Sequence, residues 1–279
     1  VLSNEGKVTR PKKGAADEEV TLKGTVKMGD YAKARKFAFV VLAESEMGPT
    51  KEFALDQVEL LDDYYLTAQN SDIEFLKKFD NDRLLSRFRE TAGLDTKKIA
   101  PYGGWEDGWL GGHSVGHYLT AIAQAVKATG NADLKEKSKQ LIKGLAECQN
   151  KLGTGFIFGA KIETEGYVEK QFDILEGKTT GKTWVPWYNM HKMLTGLVDT
   201  YEYTGNKQAL EVAKKLGDWI YNRVSKWDAG TQGRVLGTEY GGMNDCLYEL
   251  YLCTRDSKHL EAAHKFDQPN LYKTVAKGG

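Results

Sequence analysis

Two histidines four residues apart sit at the centre of the most chemically informative stretch of this chain. The run Gly103-Gly104-Trp105-Glu106, followed by Gly112-His113-Ser114-Val115-Gly116-His117-Tyr118-Leu119, brings imidazoles, an acid and an aromatic to the start of a predicted helix. Residues four apart share a helix face, so His113 and His117 project side by side, with Trp105 and Glu106 in the loop that feeds them. That grouping can grip a small polar ligand. The same residues can also serve structure, since a histidine pair can satisfy buried backbone groups. A zinc site of the H-E-x-x-H type is disfavoured, because Ser114 and Val115 follow His113 and no glutamate supplies the base.

A second constellation is Trp184-Val185-Pro186-Trp187-Tyr188-Asn189-Met190-His191-Lys192. Pro186 suits the first turn of a helix. Tyr188 and His191 then stand three apart on one face, with Trp184 and Trp187 flanking the approach. Aromatic faces beside polar donors suit sugars, whose C–H faces pack on rings while their hydroxyls take hydrogen bonds. Aromatic core packing is the competing account. The third constellation, Gly237-Thr238-Glu239-Tyr240-Gly241-Gly242-Met243-Asn244-Asp245, brackets a Gly-Gly turn with two acids. Asn244 or Asp245 is expected to cap helix amides, which leaves Glu239 as the ligand-facing acid.

Cys148, Cys246 and Cys253 are too few and too irregularly spaced for a disulfide framework and read as buried apolar residues. With 39 basic and 39 acidic side chains in 279 residues, no strong field steers the chain toward nucleic acid or an anionic membrane. No run of 18 apolar residues predicts a membrane span, and no leader is visible. Val1 reads as a mid-domain start, so that carries no message about export.

The elements that must position these groups come in two kinds. Val20-Thr21-Leu22-Lys23-Gly24-Thr25-Val26 and Phe37-Ala38-Phe39-Val40-Val41 read as strands, with turn punctuation at Gly29-Asp30. So short a β segment, over residues 1–45, is expected to be part of a sandwich. From about Phe53 the period becomes helical through Leu55, Val58, Leu61, Leu66, Leu84, Leu85 and Phe88. Three helical hairpins follow, turning at Gly130, Gly205 and Arg255. Long loops at 101–112, 153–187 and 227–243 lie at the other ends of these hairpins and are expected to gather into a cleft. The predicted fold is mainly α, an incomplete (α/α) barrel of the six-hairpin toroid type over 46–279.

The ordered motifs at 103–106, 112–119, Cys148-Gln149, 184–192 and 239–244 together resemble the β-L-arabinofuranosidases of glycoside hydrolase family 127. The segment around Gly6–Pro11, Val20–Leu22 and Phe37–Val41 resembles the C-terminal half of an atrophied bacterial immunoglobulin-like domain. The first resemblance implies an (α/α) barrel, retaining release of arabinofuranose from plant or glycoprotein glycans, and an extracellular or cell-surface setting. It also implies a zinc-bound cysteine nucleophile with further cysteines and a glutamate, and a separate glutamate as acid/base. Cys148, Cys246 and Cys253 match none of those thiolate positions. Neither nucleophile nor acid/base is therefore assigned; zinc is expected only in a further part of the family domain, and this chain is expected to bind none. The residues expected at the sugar are Trp105, Glu106, His113, His117, Trp187, Tyr188, His191 and Glu239. Two other readings stay open: a noncatalytic carbohydrate-binding or scaffold piece, and a carboxylate-dependent hydrolase or lyase in which Glu106 or Asp107 opposes Glu239.

Overall fold

The computed structural model describes residues 9, 11–12, 15–16, 18–29, 31–41, 52–106, 108–160 and 167–277. The chain divides into two compact units, Val1–Ala54 and Leu55–Gly279. Most of the Gly6–Pro11 segment, Asp30 and Asp107 lie outside the described residues.

In the first unit, β1 (Glu18–Met28) pairs antiparallel with β2 (Tyr31–Val41), with Glu18 opposite Val41 and Met28 opposite Tyr31. The second strand begins six residues before its predicted start at Phe37, because the tight turn at Gly29 commits both arms to pairing. Leu22, Phe37 and Phe39 stay exposed on this two-stranded sheet.

The second unit is helical. Its elements are α1 (Asp63–Lys77), α2 (Asn81–Thr91), α3 (His113–Thr129), α4 (Ala132–Leu152), α5 (Lys170–Leu175), α6 (Pro186–Thr204), α7 (Lys207–Val224), α8 (Ala229–Thr238), α9 (Met243–Thr254), α10 (Ser257–His264) and α11 (Pro269–Ala276). Helices α3, α6 and α9 pack in succession as one layer, and α2, α4, α7 and α10 as a second. The core lies between them: Leu119, Ile122, Leu141, Leu145, Leu194, Leu197, Leu216, Ile220, Leu247 and Leu250 are fully buried. These residues carry the three- and four-residue spacing that makes each helix amphipathic.

The three short turns are as expected: Gly130, Gly205 and Arg255 each end a helix in the left-handed conformation, with φ of 69°, 71° and 57°. Asn131, Asn206 and Asp256 then cap the returning helices by accepting from backbone amides. Two expectations fail. Helix α1 starts only at Asp63, where Asp62 accepts from Tyr64 N, and Val58 and Leu61 upstream are exposed. Only a short turn at Leu55–Gln57 forms in the apolar period of 53–61, lying against α3. Helices α1 and α2 make a further unit ahead of the three hairpins, α1 against α3 and α4, α2 against α4. Within the loop at 227–243, α8 forms because Asp228 caps Thr231 N and Val235 reaches the core.

Among the described residues no helix is long and apolar enough to cross a membrane.

Candidate functional site

Helices α3 and α6 approach unusually closely. A Cβ on Gly116 would fall 2.1 Å from the carbonyl oxygen of Lys192, and one on Gly196 would fall 2.4 Å from that of Gly116. Only glycine at both points permits this crossing. It sets the first two turns of α3 beside those of α6, so the histidines of the first motif meet the aromatic and basic residues of the second. The His113 ring lies 6.0 Å from His117, 5.9 Å from Tyr188 and 6.3 Å from Trp105, centroid to centroid. Lys192 Nζ stands 5.1 Å from the centre of the Tyr188 ring. Five predicted residues, Trp105, His113, His117, Tyr188 and His191, therefore share one neighbourhood with Lys192, which the sequence reading did not single out.

The imidazoles differ in electrostatics. His113 Nδ1 donates to Leu110 O (2.6 Å) and faces Glu106 Oε1 (2.8 Å), and the Glu106 carboxylate raises its pKa against the effect of burial. Among the described residues its Nε2 has no hydrogen-bond partner. His117 is lowered by burial and by the Lys192 and His113 charges. Burial, then Lys192 and His117, push His191 down to about 4. At neutral pH His117 and His191 are thus neutral acceptor-donors, suited to hydroxyl groups.

The acids are placed differently from the sequence expectation. Helices α3, α6 and α9 begin without a local side-chain cap. Glu106 supplies one remotely, accepting from Gly112 N (2.6 Å) and Ser114 N (3.0 Å). Burial alone would raise its pKa, but the His113, Gly112 and Ser114 donors prevail and lower it. Glu239 reaches from the loop after α8 to the start of α6, accepting from Trp187 N (3.3 Å) and Tyr188 N (2.8 Å). Burial nonetheless pushes Glu239 up to about 8. Both side chains accept from helix-start amides; Glu106 keeps its negative charge there, the favoured place for it, whereas Glu239, raised to about 8, is largely protonated at neutral pH. Asn244 and Asp245 do not cap α9; Asn244 Nδ2 donates to Asp267 Oδ1 (3.3 Å) and to Tyr272 Oη (3.0 Å).

Beside this cluster opens a cavity of about 440 Å³ lined by Trp105, Trp184, Trp187, Tyr188, Glu239 and Tyr240, among others. Trp105, Trp184 and Tyr240 are exposed. Trp187 is a correction: it is buried in an aromatic core with Phe172, Trp219, Trp227 and Phe266. It falls in register with Met190 and Leu194 on the inner face of α6, so it floors the cavity and is no platform at its mouth. The surrounding loops are tied down. Asn189 Nδ2 donates to Trp109 O (2.7 Å), and Arg223 gathers Glu169, Asp173 and Glu176 around α5.

The family described as β-L-arabinofuranosidase, GH127 catalytic domain, matches residues 57–278. The chain belongs to this family. The atrophied bacterial Ig domain matches residues 1–44. A solved GH127 β-L-arabinofuranosidase from Geobacillus stearothermophilus T6 is similar at 19% identity and a TM-score of 0.49, over 76% of this chain and 30% of that one. A second solved GH127 β-arabinofuranosidase is similar at 14% identity and a TM-score of 0.52, over 76% of this chain and 33% of the other. The latter likeness bears out the (α/α)-barrel architecture of the helical unit. The chain spans about a third of the length of these solved relatives. No curated protein sequence matches it.

The thiolate zinc centre implied by resemblance to the GH127 family does not fit the cysteines present. Cys148 lies on α4 and is pushed up to about 11 by burial; Cys246 on α9 is buried, raised by that burial, and its Sγ donates to Met243 O. Cys253 corrects an expectation, since it is only half-buried; burial and then Glu202 push it up to about 12. Among the described residues no metal-capable cluster contains a cysteine. One cluster without cysteine exists, Asp218, Asp256 and His259, and the sequence reading missed it.

Proposed function

We propose that the helical unit is the sugar-holding side of a β-L-arabinofuranosidase cleft, binding a terminal arabinofuranosyl residue of plant or glycoprotein glycans. The observation that carries this is the junction of the aromatic-walled cavity with the His113, His117 and His191 cluster. Trp105, Trp184 and Tyr240 offer ring faces to a sugar's C–H surface, while neutral imidazoles and Tyr188 exchange hydrogen bonds with its hydroxyls. Sugar binding is the part of that activity which this chain's own residues support, because burial keeps its thiols protonated. A bacterial origin and an extracellular or cell-surface setting belong to the same proposal, supported by the Ig-like match at 1–44.

The test is titration of the chain with methyl β-L-arabinofuranoside, followed by saturation-transfer NMR and calorimetry. Saturable binding that weakens about tenfold in Trp184→Ala and in His117→Ala, with arabinopyranoside binding less tightly, is the expected result. Absence of saturable binding by a folded chain would overturn the reading.

A further inference from the structure

A second cluster of ionisable groups lies in the outer layer of helices, on α7 and at the start of α10. His259, in the first turn of α10, is buried at 1% exposure, and its Nε2 has no hydrogen-bond partner. Facing it at 3.7 Å is Asp218 Oδ1 of α7, itself a buried oxygen with no hydrogen-bond partner. Two such atoms opposed across so short a gap call for something between them.

The tautomer sharpens the point. Thr254 Oγ1 donates to Leu250 O (2.9 Å), so at its 2.8 Å contact with His259 Nδ1 it must accept. The imidazole proton therefore sits on Nδ1, and the neutral ring turns a lone pair on Nε2 toward a carboxylate oxygen. Protonating Nε2 would create an ion pair, but 3.7 Å is too long for its hydrogen bond. Gly217 fixes the ring there: a Cβ at that position would fall 2.8 Å from Nε2.

A third donor is in reach. Asp256 caps α10 through Oδ1, accepting from Lys258 N (3.0 Å), and one ligand atom from each of Asp218, Asp256 and His259 lies within 4.8 Å of the others. Lys258 Nζ is 3.7 Å from Asp218 Oδ1 and 3.9 Å from Asp256 Oδ2, and its half-exposed side chain is free to leave for solvent. Asp218 also borders a surface cavity of about 310 Å³ with Gln149, Asn150 and Lys215, which gives an ion a way in.

We propose that Asp218, Asp256 and His259 form a binding site for a divalent transition-metal ion, which clips α7 to the α9–α10 turn. One imidazole and two carboxylates are a borderline donor set that suits zinc over calcium, with the remaining coordination filled by water. Lys258 holds the carboxylates when the ion is absent and yields when it binds. The site is independent of the sugar proposal and of thiolate chemistry.

Titration of the EDTA-treated full chain with zinc chloride by calorimetry tests it. One equivalent should bind with a Kd of the order of 1 µM, with calcium much weaker. Asp218→Asn and Asp256→Asn should each weaken zinc about tenfold or more; asparagine still caps α10, so Asp256→Asn keeps the fold. Lys258→Met should tighten binding about threefold by removing a competing cation. The ¹⁵N resonance of His259 Nε2 should shift on zinc addition while Nδ1 stays protonated. No binding at 100 µM zinc, a scale far above the expected Kd, would overturn the proposal. So would affinity unchanged by both asparagine variants, or affinity lost on alkylating Cys253.

Discussion

His191 occupies the space that a side chain at position 242 would fill. An ideal Cβ on Gly242 falls 2.1 Å from His191 Cε1, and the glycine backbone has φ of +83°. The Gly241-Gly242 turn that starts α9 thus seats a histidine of α6, joining two motifs about fifty residues apart. Gly242→Ala should incur both left-handed strain, about 1–2 kcal/mol, and overpacking of about 1–3 kcal/mol. Urea denaturation should show a lowered midpoint with an unchanged slope, and sugar binding should weaken as His191 is displaced. An unchanged midpoint would show that the ring moves aside freely.

The pH dependence of stability separates His191 from Glu239. His191 falls from an ordinary 6.5 to about 4 in the folded chain, so the stability it contributes is present above pH 6.5 and is lost as pH falls toward 4. That gap bounds its effect at about 3 kcal/mol. His191→Gln, compared with the parent by denaturation at pH 4.5 and 7.5, should lose less stability on acidification.

Much of this fold is legible in sequence, since Leu119, Leu141, Leu194 and Leu216 each belong to an apolar stripe of helical spacing and turn residues sit where the period breaks. Trp187 was legible too: it leads the stripe of Met190 and Leu194, whereas Trp184, before Pro186, is outside the helix. His259 likewise heads the stripe of Ala262, Ala263 and Phe266, where an apolar pattern search fixes on Leu260, which is only half-buried. The remote caps were not legible. Glu239 meets amides 51 and 52 residues away, and Asp218 meets His259 across 41, partnerships that packing creates and local periodicity does not encode. Proximity of the three histidines also required the glycine crossing at Gly116 and Gly196, a tertiary fact.

Glu239 acts in the opposite pH direction from His191. Its folded pKa is raised to about 8, above the ordinary 4.5, so its contribution is fully present below pH 4.5 and declines as pH rises toward 8. Glu239→Gln should flatten that decline while keeping an acceptor for one α6 amide. Glu239→Ala leaves Trp187 N and Tyr188 N without their acceptor and should cost about 2–4 kcal/mol. Equal loss in both variants at pH 7 would mean that shape, and not amide capping, sets the role of this residue.

Arg255 is the odd member of three equivalent turns. Gly130 and Gly205 take φ of 69° and 71° without a Cβ, whereas Arg255 takes 57° with one, so its backbone carries left-handed strain that the other two turns avoid. Its guanidinium lies 5.8 Å from the Tyr251 ring centre, an exposed contact of small value. Replacing Arg255 by glycine relieves the strain, loses that contact and adds entropy to the unfolded chain. The relief should prevail, raising stability by about 0.5–1 kcal/mol. Thermal denaturation should show the rise, and it should appear equally in a Tyr251→Leu background. A fall that disappears in that background would mean that the stacked guanidinium outweighs the strained turn.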